Sequence, residues 1–208
     1  MKSSKISVLL NLIIVILVIL GSIFMFTGFK FMPSTLNLSN SKIEMFEYFT
    51  VDSNILMGIV SLIFIININK KNRFISILKL MGTSSVTLTF LTTLFFLAPQ
   101  YDLYSMYNNT NLFFHLIVPL LAIISYIFFE KNEIKYKEAI YGIIPMFLYS
   151  IFYAGNIFLH LNNGEFIKYD FYGFLNGNIN NIYIVIPIIY LITYLISLSL
   201  VFLNKKKV

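Results

Sequence analysis

Side chains able to do chemistry gather near one end of otherwise apolar stretches in this sequence. The first group is Glu47-Tyr48-Phe49-Thr50-Val51-Asp52-Ser53-Asn54. Helical residues advance about 100° each, so Glu47, Thr50 and Asn54 share a stripe while Asp52 points roughly the opposite way. The second is Asn108, Asn111, His115 and Pro119, at spacings of three and four that again put them on one helix face. Thr89, Thr92 and Thr93 form a third group, and Asn156 and His160 a fourth. The chemistry within reach is hydrogen bonding, a hydroxyl, and proton transfer through an imidazole that titrates near neutrality. Each residue also has a plainer use. A threonine in a membrane helix bonds the carbonyl one turn back. Histidine and asparagine hold helices together. Asp52 and Glu47 fit the headgroup level, where a carboxylate costs little.

Other chemistry is excluded by composition. There is no cysteine, which removes disulfides, thiolate ligands and cysteine nucleophiles together. With two histidines and nine carboxylates, no metal centre or cofactor is expected. The net charge of +6 does not point to nucleic acid, because the charges sit in short loops between apolar runs.

Those runs are the elements that must position the polar groups. Hydrophobic residues make up 58% of the 208 and charged residues 12%, against roughly 25% charged in a soluble domain. Spanning the hydrocarbon takes about 20 apolar residues. Six segments qualify, at about 6–28, 46–68, 74–97, 111–129, 139–159 and 182–203. The first is too long for a secretory h-region and has no small-residue cleavage site after it, so it is read as a span. No linker, repeat or second domain is visible, and residues 1–208 read as one membrane domain. The expected fold is all-α, a six-helix transmembrane bundle.

Basic residues orient it. Lys2, Lys5, Lys70, Lys71, Arg73, Lys79, Lys131, Lys135, Lys137, Lys205, Lys206 and Lys207 fall on one side, leaving only Lys30, Lys42 and Lys168 for the other. Both termini are therefore expected in the cytoplasm of a multi-pass cell-membrane protein. The loops at about 29–45, 98–110 and 160–181 are longer, rich in Asn and Tyr, and extracytoplasmic on this reading. The polar groups of four helices then meet at one depth near that side, while the opposite halves are almost wholly apolar apart from Lys79. A pocket opening outward between helices follows. The tyrosines at this edge read as an interfacial aromatic belt.

The same residues carry a resemblance. Tyr48-Phe49-Thr50 with Ser53-Asn54 resembles the start of the second helix in the Pr-six-Pr family of predicted six-pass bacterial membrane proteins. Asn111-Leu112 with His115 and Pro119 resembles its fourth helix, and Ile144-Pro145 with Tyr149 and Tyr153 its fifth. The chain departs from the pattern in lacking tryptophan and in reading Tyr153-Ala154-Gly155-Asn156 where Arg-Gly is expected. That family is distantly similar to the androgen-induced six-pass proteins, membrane hydrolases of fatty acid esters of hydroxy fatty acids. The resemblance implies Thr50 as nucleophile and His115 as the base that takes its proton. It implies membrane lipids as surroundings and a lipid ester as substrate. Asn54 or Asn111 would orient the base or donate to an oxyanion. Asp52 could orient the imidazole only if the helix start is distorted.

The alternative is a non-enzymatic membrane protein: a small-molecule or lipid transporter, or an assembly subunit. No inverted repeat and no polar path to the other face favours a transporter. No acidic ring or filter-like glycine motif favours a channel.

Overall fold

The computed structural model describes residues 2–33, 42–68, 72–101, 103–161 and 165–206. Six helices are long and apolar enough to cross a membrane: α1 (Lys2–Thr27), α2 (Phe49–Ile66), α3 (Arg73–Tyr101), α4 (Asn109–Phe129), α5 (Tyr136–Leu159) and α6 (Ile179–Lys205). No strand occurs among the described residues. The chain is all-α and built to sit in a membrane. Large apolar side chains face outward on every helix, including Leu9, Ile59, Phe95, Phe128, Leu148 and Leu191. In water such a surface would aggregate; in lipid it is the solvated face. The helices begin and end within a few residues of the hydropathy boundaries. Helix α1 begins four residues early, at Lys2; the first three residues expected in α2 belong to a separate 3₁₀ turn (Glu44–Glu47) and its extended cap Tyr48; and α3 runs on to Tyr101. Lys70, Lys71 and Lys207 lie outside the described residues.

Local sequence fixes the helix ends. Gly28 follows α1 with φ at +71°, a conformation open to glycine. Its N–H bonds the Met25 carbonyl, and that of Phe29 reaches back to Phe24 at 3.0 Å. The Phe24 and Phe29 rings meet with centroids 5.0 Å apart. This is a Schellman stop with its accompanying apolar contact. Asn72 caps α3, its Oδ1 accepting from the Phe74 N–H at 2.8 Å. Glu138 in the first turn of α5 accepts from the Lys135 N–H at 2.6 Å and pairs with Arg73. The two turns at this end are thereby joined.

Helix α3 is the axis of the bundle. Nearly every residue from Lys79 to Thr89 is buried, and α3 packs against α2, α4, α5 and α6. Its Gly-Thr-Ser-Ser run, residues 82–85, keeps side chains small so that neighbours approach closely. At Gly142 of α5, an added Cβ would stand 2.6 Å from Ser197 Cβ and 2.9 Å from Ser84 Oγ. Only glycine fits where α3, α5 and α6 meet. Ser197 Oγ donates to the Ala139 carbonyl across the same contact at 2.7 Å.

The basic ends of the helices hold more than the expected Lys79. Lys79 and Glu130 are fully buried, with Nζ and Oε1 3.1 Å apart. Lys79 Nζ also donates to Asn11 Oδ1 at 2.6 Å. Asn11 Nδ2 lies 3.0 Å from both Glu130 Oε1 and Ser125 Oγ, and Ser125 Oγ donates to the same carboxylate oxygen at 2.7 Å. Asn204 of α6 donates to the Tyr126 and Glu130 carbonyls at 2.6 and 2.9 Å. The expectation of a nearly apolar half is corrected here. Lys79 is not a snorkelling surface cation but half of an ion pair, because an ammonium taken into hydrocarbon must find a counter-charge.

Removing one partner leaves the other charged and unpaired in the core. Lys79→Met or Glu130→Leu alone should cost about 3–5 kcal/mol, and the double replacement should recover most of that loss. Unfolding in mixed micelles, read as a double-mutant cycle, checks this; additive losses would show the two residues to be uncoupled.

Candidate functional site

The polar stripes of α2 and α4 border a common cavity of about 270 Å³ at the loop-rich end of the bundle, lined by Thr50, Tyr48, Met106, Asn111, His115 and Tyr172 among others. Thr50 also lies on a second, narrower cleft of about 40 Å³, where Thr89, Thr92 and Thr93 of α3 meet apolar and tyrosine side chains of α5 and α6. It therefore stands where a chamber of mixed lining meets a narrower cleft.

His115 sits in a π-turn, Phe113–Ile117. There the ladder slips, and the Val118 N–H bonds Phe113 rather than Phe114. Pro119 has no N–H to offer Phe114 at the slipped spacing. Asn54 supplies the missing donor: its Nδ2 reaches the Phe114 carbonyl at 3.1 Å and the Thr50 carbonyl at 2.7 Å. One carboxamide thus joins the backbone of Thr50 to the residue before His115. Ser53 adds to the hold on Thr50, donating to the same carbonyl at 3.1 Å while its Oγ lies 3.0 Å from Thr89 Oγ1 of α3.

The imidazole is fixed by the loop. His115 Nδ1 is 2.7 Å from the Met106 carbonyl. A carbonyl only accepts, so Nδ1 carries the hydrogen, and in the neutral ring Nε2 keeps its lone pair. The Tyr107 ring packs edge-on against the imidazole at 6.5 Å between centroids. The loop is tied down in turn by Asn109. With φ at +50°, its side chain accepts from the Phe31 and Met32 N–H groups, both at 2.8 Å, and donates to the Met32 carbonyl at 3.0 Å.

Tyr172, from the loop before α6, completes the chamber. Its ring is half-buried and its hydroxyl fully so. The hydroxyl lies against Thr50 and Tyr149 but makes no well-aligned hydrogen bond with either. Burial pushes this phenol up to about 12, so it stays protonated at neutral pH and retains a hydrogen to donate.

Of the six residues singled out by sequence, Thr50, His115 and Asn111 are brought to the chamber. Asn111 is half-buried, and its Nδ2 donates to the Ser105 carbonyl at 3.3 Å. Asn54 is buried behind the chamber wall with both contacts of Nδ2 spent on carbonyls, which leaves no free donor for an oxyanion. Asp52 is turned away, into a different groove between α2 and α5. Glu47 lies in the 3₁₀ turn ahead of α2, where its carbonyl accepts from Tyr149 Oη at 2.7 Å. Asn156 and His160 bond within their own helix end, and Asp170 caps the turn at Phe174 and Leu175. Tyr48, Tyr101 and Tyr172 line the chamber, whereas Tyr104 and Tyr183 are exposed as a belt residue would be. Among the described residues no cluster of three His, Asp or Glu side chains could hold a metal.

Asn54→Leu should strand the Phe114 carbonyl and lower stability by about 1–3 kcal/mol. Thermal unfolding of the purified protein in detergent measures the loss. A variant as stable as the parent would mean that the slipped turn needs no outside donor.

No protein-family model, no curated protein and no solved structure matches the chain.

Proposed function

We propose that the chain is a lipid-ester hydrolase of the cell membrane, with both termini cytoplasmic and the chamber facing the extracytoplasmic leaflet. The observation that carries this reading is that Thr50 and His115, from different helices, border one cavity with the imidazole oriented by a backbone carbonyl. Threonine is a weak nucleophile and needs a base beside it.

On this reading the Thr50 hydroxyl attacks the ester carbonyl while its proton passes to His115 Nε2. The carbonyl oxygen becomes an oxyanion, and Tyr172 donates a hydrogen bond to it. Collapse breaks the ester bond, and the departing alcohol takes the proton from Nε2. Water then attacks the acyl-threonine, its proton passing to Nε2, and collapse returns that proton to Thr50 Oγ1 as the fatty acid leaves. The chamber of about 270 Å³ takes the ester and the groups next to it; the cleft beside Thr50, about 40 Å³, is too small for an acyl chain. An ester at the headgroup–acyl boundary lies at the depth of the first turn of α2.

A lipid fluorophosphonate should label the wild-type protein on Thr50. Thr50→Ala should abolish labelling and His115→Ala should reduce it severely, with both variants still inserted and helical by circular dichroism. Tyr172→Phe should slow ester turnover on the order of 10²-fold. A wild-type protein that never labels, or a Thr50→Ala variant that labels equally well, would remove the hydrolase reading. If instead both variants unfold and wild type is inert, the polar stripes serve helix packing.

A further inference from the structure

The hydrolytic reading makes no use of Asp52, yet this carboxylate occupies a cavity of its own. A groove of about 390 Å³ runs between α2 and α5, with Asp52 and Phe46 near its upper end and Leu56, Pro145 and Leu148 further in; Phe152 stands beside it. Its volume is that of a small-molecule site. It opens to the outside of the bundle, since Phe46, Leu148 and Phe152 are between 45% and 60% exposed. Among the described residues, Asp52 is the only carboxylate or cation in the lining. Among the described residues it has no ion-pair partner, in a chain whose net charge is +6.

We propose that this groove binds a membrane lipid through a primary ammonium headgroup: the ammonium pairs with Asp52 and the acyl chain lies along Leu56, Pro145 and Leu148. Three features point to this occupant. The polar end of the groove lies in the first turn of α2 and its apolar floor lies deeper, which is the orientation of a lipid. At the headgroup level a carboxylate lining the groove lies within reach of a lipid's own headgroup cation. Aromatic rings beside the carboxylate add attraction for a cation and none for an anion. A carboxylate that served only the α2 helix terminus would need neither the groove nor the rings.

Native mass spectrometry of the full chain, released from micelles holding equal ethanolamine and glycerol phospholipids of matched acyl chains, tests the proposal. Wild type should retain about tenfold more of the ethanolamine lipid. Acetylating the lipid amine should erase the preference, as should Asp52→Asn. Leu148→Trp, a change on an exposed position that fills the floor, should reduce retention of the ethanolamine lipid without unfolding the protein. Equal retention of the two lipids by wild type would overturn the proposal. So would a preference that survives amine acetylation or Asp52→Asn, retention that Leu148→Trp leaves unchanged, or a lipid-free dimer formed through this groove. Fluorophosphonate labelling of Thr50 is independent of all these outcomes, so this inference and the hydrolase reading fail separately.

Discussion

Across about 30 Å of hydrocarbon no water is available to a carbonyl, an amide or an ammonium. Backbone groups and charges placed there need partners within the protein, and this requirement shapes both ends of the bundle. At the basic end it gathers Lys79, Asn11, Ser125 and Glu130 around one carboxylate oxygen, so that α1, α3 and α4 converge on it. At the loop-rich end it draws Asn54 onto two carbonyls from different helices. Helix α3 can serve as axis because its small residues let the polar groups of its neighbours come this close.

The chamber depends on an irregularity rather than on regular helix. The slipped turn in α4 and Pro119 together free a carbonyl, and π-turns of this kind are frequent at functional sites. Asn54 repairs the defect and in doing so sets the level of α2 against α4. Thr50, His115 and Tyr172 then border one space. Thr50 lines both this chamber and the narrower cleft beside it.

The bundle was legible in the sequence because length and apolarity alone demand membrane-spanning helices, and nothing in the structure competes with that demand. The shared face of Thr50 and Asn54, and the opposite direction of Asp52, followed from helical spacing, since α2 is regular from Phe49 onward. The role of Asn54 was not legible, because its second acceptor exists only where α4 departs from regular geometry. Tyr172 was hidden for a different reason. A tyrosine in a loop has no periodicity to reveal its direction, and its neighbours in sequence are other aromatic residues. Glu130 and Asn11 did carry a signal, a polar residue within or at the end of an apolar run. Lys79 drew attention as a charge on the expected basic side, which concealed its need for a partner.

That ion pair bears on how the chain is made. Lys79 emerges from the ribosome well before Glu130. Until α4 follows, α3 carries an ammonium without its counter-charge, beside Asn11 of α1 and the Phe64 ring of α2. A helix in that condition partitions poorly into lipid on its own. The third and fourth spans therefore suit release from the insertion machinery as one hairpin, with the carboxylate arriving in time to neutralise its predecessor.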